Sequence, residues 1–329
     1  MIIKKNEVPL KLRGLEALNS RLSHSYKKQS GIAEELRIVR AGVNGERILT
    51  NIFLKYSFLD RHYIFHDLNL QSTGLFQLDT LFLSHQGAVI FEMKNIAGDI
   101  KFLHESRQLM RKLENGQVDV FECPSVQLER NKFLLEDWFH SNDLKGFPIH
   151  GVAVFPSPRQ RFENIPENLT LLFPLEIPVY IRKLMKSPPI IDTQALDLIA
   201  NKLVASHREF NPFPICKKYK IDSEEIMTGV RCDQCGLHEM ISTTRGWICK
   251  SCKHFSRDAH KQAVLDYFML FGNSLTNKKC REFLHLSSID KTTRLMKQMN
   301  LPFHGEKKGR KYTLSLKELE KQLLYLKKE

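Results

Sequence analysis

FQLDTLFLSHQGAVIFEMKNIAGDI, residues 76–100, decides how the chain is read. Residues 76–84 are mostly apolar, His85, Gln86 and Gly87 form a turn signal, and residues 88–93 are a second apolar run. The spacing predicts two short antiparallel strands. Three charges are set into this hairpin: Asp79, Glu92 and Lys94. Glu92 follows Val89, Ile90 and Phe91, in a run that reads as a buried strand. A buried carboxylate costs several kcal/mol unless it is paired or binds a metal. Lys94 is two residues on and shares the face of Glu92, because strand side chains alternate with period two.

The arrangement puts two carboxylates side by side on neighbouring strands, with an ammonium beside them. Hard oxygen ligands of this kind suit Mg²⁺ or Mn²⁺, which keep waters and accept phosphate oxygens. Such a cation activates water and offsets charge on a phosphate under attack, and the lysine holds the water or the developing charge. A glycosidase pair would need two acids without the lysine, and a dinucleotide site would need a glycine-rich turn after a strand. Neither is present.

Asp79 and Glu92-x-Lys94 are similar to the core of the PD-(D/E)XK nucleases, and the surrounding residues resemble the nuclease-related domain (NERD) family more closely. Gly45-Glu46, Gln77-x-Asp79, Glu92-Met93-Lys94-Asn95, Gly98 and Pro124-x-x-Gln127 carry the resemblance, which covers roughly residues 41–155. It implies an α/β fold with a restriction-endonuclease-like mixed sheet flanked by helices. It further implies that Glu46 is a third acid at the site and that Gln127 faces it from a helix. The loop 71–74 is expected to skirt the substrate. Glu46 also has a plain reading, as a carboxylate at the positive end of a helix running over residues 42–58. Asn95 suits either a substrate contact or a turn.

The 329-residue chain has room for two or three domains. Its formal charge of +13 favours an anionic partner such as nucleic acid. No apolar run is long enough to span a membrane, and the first residues lack a signal-peptide core, so a cytoplasmic protein is expected. Residues 1–40 read as a helical extension, with helices over 14–28 and 32–39 parted by Gly31. Leu15, Leu18 and Leu22 fall on one face, with Arg21, Lys27 and Lys28 off it. The nuclease-like domain is assigned to 41–210, with a strand around Val179 that Pro174 and Pro178 confine to an edge or break, and 211–229 to a linker.

Residues 230–256 hold Cys232, Cys235, Cys249 and Cys252 as two C-x-x-C pairs, thirteen residues apart. This spacing predicts a zinc ribbon with a closed, structural Zn²⁺ site. Residues 257–329 read as a small, mainly helical domain resembling a winged helix, with a break at 273–276 after its first helix. In such a module the helix from Ser288 enters the major groove, with Lys291, Thr292, Arg294 and Lys297 facing DNA. Lys307, Lys308, Arg310 and Lys311 then form a basic wing. From residue 229 onward there are 20 Lys and Arg against 10 Asp and Glu, so +10 of the +13 lies here. The leading reading is a Mg²⁺-dependent deoxyribonuclease. The alternatives are a nucleic-acid-binding protein that uses the nuclease fold as a scaffold, and a protein-interaction scaffold.

Overall fold

The computed structural model describes residues 1–5, 7–272 and 274–326, with the side chain of Lys308 outside the description. Asn273, in the expected break, also lies outside it. Elements are labelled in chain order. The chain divides into two compact units, Met1–Glu7 with Val39–Phe210, and Val8–Ile38 with Asn211–Glu329.

The first elements are β1 (Ile2–Lys4), α1 (Leu10–Arg21) and α2 (Gln29–Lys55). The expected break at Gly31 is not there. Gly31 and Gly42 lie inside α2, and the chain breaks earlier, after Arg21. Each internal glycine costs about 1 kcal/mol of helix propensity. The stripe of Ile32, Leu36, Val43, Leu49, Ile52 and Phe53 is buried throughout, and that burial outweighs the cost.

In the first unit, β2 (His62–Gln71), β3 (Leu75–Ser84), β4 (Gly87–Met93), β8 (Ile149–Val154) and β10 (Thr170–Leu172) join β1 in a six-stranded sheet. The order is β1-β2-β3-β4-β8-β10, antiparallel at β2–β3 and β3–β4 and parallel elsewhere. This is the mixed sheet expected. Beside it, β5 (Asp99–Leu103), β6 (Gln108–Lys112), β7 (Val118–Glu122) and β9 (Phe162–Glu163) form a sheet of order β7-β6-β5-β9.

Helices α3 (Pro124–His140) and α5 (Thr193–Ser206) cover one face of the large sheet. Leu128, Leu135 and Trp138 of α3, with Leu196 and Leu203 of α5, pack there on Phe65, Leu81, Ile90 and Ala153. On the other face α2 brings Leu49, Ile52 and Phe53, and α4 (Ile177–Leu184) brings Ile177 and Ile181, onto Ile64, Phe82, Val89 and Val152. Neighbouring residues in each strand thus feed opposite cores, which is why the strands are apolar throughout. The stretch around Val179 is helix α4, not an edge strand. Pro178 stands in its first turn, where the missing N–H has no partner to lose.

The second unit contains α1, α6 (Ile215–Tyr219), β11 (Met240–Ser242), β12 (Trp247–Cys249), β13 (Phe255–Ser256) and α7 (Ala259–Phe271). It continues with β14 (Ser274–Thr276), α8 (Asn277–Leu284), α9 (Ile289–Gln298), β15 (Phe303–His304), β16 (Lys311–Thr313) and α10 (Leu316–Leu326). Strands β11–β13 form a three-stranded antiparallel sheet, and β14-β16-β15 form another. Ser288 caps α9 by accepting the Lys291 N–H at 3.2 Å. Arg21 is fully buried, where its position in the sequence suggested a solvated face. Its Nε donates to Asp266 of α7 at 2.9 Å and its Nη1 to the carbonyls of Met227 and Gly229. No described helix is long and apolar enough to cross a membrane.

Candidate functional site

The pleat of the large sheet changes phase at one place. Along β3, Leu81 and Leu83 feed the core under α3, and so do Phe76 and Leu78. Odd positions point that way on one side of Asp79 and even positions on the other. Strand β2 makes the same switch. Phe65 and Leu68 share that core, and Asp67 between them has a left-handed backbone with φ +49°. His66 pairs with Thr80 and Leu68 with Leu78, so Asp67 and Asp79 lie across from each other in the unpaired gap. Asp67 is held by its short polar side chain: Oδ1 accepts Gln77 Nε2 at 2.7 Å and Asn69 Nδ2 at 3.1 Å. Asp79 is thereby released from both cores. The β3–β4 ladder ends at Thr80 and Phe91, and the next donor, the Met93 N–H, goes to Asp79 Oδ2 at 3.0 Å.

Glu92 lies on β4 beside Asp79 and is 3% exposed. Its Oε1 accepts Lys94 Nζ at 2.9 Å, and its Oε2 is buried with no hydrogen-bond partner. Lys94 Nζ also donates to Gln127 Oε1 at 2.6 Å. Gln127 sits in the first turn of α3, and that helix is drawn onto the sheet by Gly151, where an added Cβ would come within 3.2 Å of Leu128. Asn131 of α3 donates to Gln77 O at 3.2 Å. Asp79, Glu92, Lys94 and Gln127 are therefore brought together.

Glu46 joins them electrostatically. Burial first, then the charges of Glu92 and Glu46, push the Asp79 carboxyl well above the ordinary carboxylate range; the Met93 N–H and the Lys94 ammonium pull the other way. The plain reading of Glu46 as a helix-start carboxylate does not hold, because α2 begins at Gln29 and Glu46 lies in its interior. Gly45 sets the approach: a Cβ there would lie 2.8 Å from both Asn95 Cβ and Met93 Cγ. Asn95 fastens this packing by donating to Ala41 O at 2.7 Å, which makes it an anchor of α2. The loop 71–74 is tied to α3, with Ser72 Oγ on Leu134 O and Thr73 Oγ1 on Asp137 Oδ2.

The second unit holds a different cluster. The sulfurs of Cys232, Cys235, Cys249 and Cys252 all lie within 4.8 Å of one another. Cys232 and Cys252 are 3.6 Å apart, as are Cys235 and Cys249. A tetrahedral zinc with Zn–S bonds of about 2.3 Å requires sulfurs about 3.8 Å apart, whereas a disulfide would bring them to about 2 Å. The cluster is consistent with a zinc site. Each knuckle is closed by backbone: Gly236 N–H donates to Cys232 O and Lys253 N–H to Cys249 O. N–H groups of Cys252 and Ser251, with burial opposing, bring the Cys249 thiol down to about 7. His254 is engaged with Asp233 at 2.9 Å and stays out of the cluster.

The residues expected to face DNA are not all at the surface. Arg294 and Lys297 are exposed on α9, and Lys307 and Lys311 are exposed around the β15–β16 hairpin. Thr292 is fully buried, with its hydroxyl back-bonded to Ser288 O at 2.9 Å, and offers no surface for DNA. Lys291 Nζ donates to Thr243 O at 2.5 Å, fastening α9 to the turn between β11 and β12. Arg310 lies 4.2 Å over the Phe303 ring. Lys308 lies outside the described side chains.

Comparison with known families matches residues 41–156 to the family described as NERD, nuclease-related domain. Comparisons with curated proteins and with solved structures find no match. The matched span includes Glu46, Asp79, Glu92, Lys94 and Gln127, and the family points to a nucleic-acid substrate. Residues 41–156 of this chain are a nuclease-related domain.

Proposed function

We propose that the protein is a metal-dependent nuclease that hydrolyses phosphodiester bonds in DNA, with the zinc ribbon and the C-terminal helices delivering the substrate. The observation that carries this reading is Glu92 Oε2, a buried carboxylate oxygen without a partner beside Asp79 and Lys94. A buried carboxylate oxygen without a partner costs about 1–3 kcal/mol even when the other oxygen is paired. The crowding of Asp79, Glu92 and Glu46, which drives the Asp79 carboxyl upward, is what a divalent cation relieves. The donor set fits Mg²⁺ or Mn²⁺, with Asp79 and Glu92 as ligands.

When bound, such a cation supplies charge neutralisation for the phosphoryl oxygens and a lower pKa for the attacking water. The side chains do the rest. Lys94 is oriented by Glu92 Oε1 and Gln127 Oε1, and keeps a third N–H to hold the water or the charge of the pentavalent phosphorane. Gln127 fixes the ammonium from the rigid start of α3. Glu46 adds negative charge on the α2 side, raising the site's demand for a cation.

The order in the second unit, helix α7, strand β14, helices α8 and α9, then the hairpin β15–β16, supports the winged-helix reading. Exposed Arg294, Lys297, Lys307 and Lys311 suit phosphate binding from α9 and the hairpin.

The test is to incubate the pure chain with supercoiled, linear and single-stranded DNA, with and without Mg²⁺ or Mn²⁺, beside Asp79→Ala and Lys94→Ala. Cation-dependent cutting should fall by about 10²–10³-fold or more in both variants. Tight DNA binding without cutting, indifferent to either substitution, would reduce the domain to a scaffold.

A further inference from the structure

The sheet end that carries Glu92 and Lys94 also carries the loop 155–161, FPSPRQR. Strands β4 and β8 are parallel, with Glu92 level with Ala153 and Met93 with Val154. Lys94 N–H donates to Val154 O at 2.9 Å. The chain leaving β8 therefore emerges beside Lys94. In open α/β sheets, ligands gather outside the carboxyl ends of the strands.

The loop is pinned to the segment that follows Lys94. Gln160 Nε2 donates to Ile96 O at 2.5 Å, and Ile100 N–H donates to Arg161 O at 2.9 Å. Just beyond, Phe162 and Glu163 pair in parallel with Ile100 and Lys101. Pro156 and Pro158 restrict the backbone further.

On either side of the anchoring Gln160 stand Arg159 and Arg161, both exposed. Among the described residues neither guanidinium has a carboxylate or hydrogen-bond partner. Arginines on the neighbouring sheet and on α3 differ. Arg107 pairs with Glu129, Arg111 with Asp119 at 2.8 Å, and Arg130 with Glu122 at 2.9 Å. Two un-neutralised guanidinium groups on a fastened loop at the reactive sheet end match the geometry of phosphate recognition.

We infer that the loop 155–161 is a phosphate-gripping arm of the nuclease site: Arg159 and Arg161 hold the DNA backbone next to the reacting phosphate, and Gln160 is the positioning residue that aims them. The inference rests on the nuclease reading for its catalytic consequence, but not for its binding consequence. The arm acts before chemistry and does not touch the reacting atoms, so its removal should appear in KM rather than kcat.

The experiment uses the full-length chain and a labelled DNA duplex. Binding is followed from low to moderate salt without added divalent cation, and cleavage is followed with Mg²⁺. In Arg159→Ala/Arg161→Ala, the slope of log K against log salt should become shallower by nearly 2, at about 0.9 for each phosphate no longer neutralised. Affinity at moderate salt should fall about tenfold or more, and KM should rise with kcat nearly unchanged. Gln160→Glu keeps the shape but cannot donate to Ile96 O, and should shift KM in the same direction with less change in slope. Lys94→Ala should keep the wild-type slope while abolishing cutting. An unchanged slope and KM in the double variant overturns the inference, as does a wild-type chain that binds no DNA at the lowest salt. A wild-type chain that binds with an arginine-dependent slope but never cuts upholds the arm and sinks the nuclease reading instead.

Discussion

The carboxylate cluster of the first unit, which we propose takes a divalent cation, and the thiol cluster of the second, consistent with a zinc site, are constructed in opposite ways. The four sulfurs come from two short knuckles, lie within 4.8 Å of one another, and are closed by backbone hydrogen bonds within each knuckle. Nothing about that site asks for a further ligand. The carboxylates come from α2, β3 and β4, repel one another, and leave Glu92 Oε2 with no partner. A site that completes itself contributes to folding. A site that stays incomplete stores electrostatic cost, which substrate and cation can relieve together.

The sharpest way to break this comparison is to remove each metal in turn. Structural zinc in small modules contributes on the order of 10 kcal/mol. Strong chelation, or Cys232→Ser, should release zinc and unfold the ribbon. Trp247, 1% exposed in β12, should then show red-shifted emission. Withdrawing Mg²⁺ alone should leave Trp247 emission where it was and lower Tm only by the small amount that cation binding to the folded chain contributes. If stripping zinc changes neither signal, the thiol cluster is not a folding element.

A second test concerns acid. His66 is buried in β2, with Nδ1 2.8 Å from Thr80 Oγ1 and Nε2 without a partner. Burial, with Lys4 nearby, lowers its pKa from 6.5 to about 4. Above pH 6.5 the ring is neutral in both the folded and unfolded chain, and no stability is lost. Between 6.5 and 4 the unfolded chain binds a proton that the folded one refuses. Stability should fall across that window by up to about 3 kcal/mol and level off below it. Denaturant melts from pH 7.5 to 4, with zinc content followed in parallel, separate this loss from acid release of zinc. In His66→Asn the loss should shrink, and a profile parallel to wild type would remove His66 as its cause.

Those two sites also mark what the sequence could and could not convey. The thiol cluster is local: two C-x-x-C pairs and the glycines beside them specify it. The carboxylate hairpin is nearly as legible, because a charge inside an apolar strand stands out. What set the hairpin apart was long-range. The phase switch at Asp79 depends on Asp67, twelve residues earlier on another strand, and on a left-handed backbone that its composition does not announce. The length of α2 was hidden by Gly31 and Gly42, whose local penalty is overruled by buried partners distant in sequence. Thr292 fits a groove-facing position by count alone, but its rotation about α9 is set by packing. The arm at Arg159 and Arg161 has no motif; it emerges only once β8 lies parallel to β4.

The opposition between the two sites can be sharpened by neutralising one ligand in each. Glu92→Gln keeps the shape but removes a buried charge, and its new amide can donate where Oε2 had no partner. Folding stability without added divalent cation should hold or rise, by about 1–2 kcal/mol, while cutting is abolished. The corresponding change in the thiol site, Cys249→Ser, should lower stability. Both are read from denaturant midpoints in the same buffer. A destabilised Glu92→Gln would mean that Glu92 is a structural partner of Lys94, not a stored cost.

The smallest expected effect isolates geometry from charge. Gly45→Ala adds one methyl group to α2, 2.8 Å from Asn95 Cβ and Met93 Cγ, and Asn95 is held in place through Ala41 O. The helix gains up to about 1 kcal/mol in propensity, but α2 must move away from the end of β4. Stability should therefore change by less than about 1 kcal/mol, while cutting falls about tenfold because Glu46 moves with the helix. Gly42→Ala is the control: it lies in the same helix with nothing within 4 Å of its added Cβ, and should gain stability at unchanged activity. Equal activity in the two variants would show that the approach of α2 to β4 does not tune the site. A loss confined to Gly45→Ala would mean that the carboxylate cluster, unlike the self-contained thiol cluster, depends on how closely its separate elements pack.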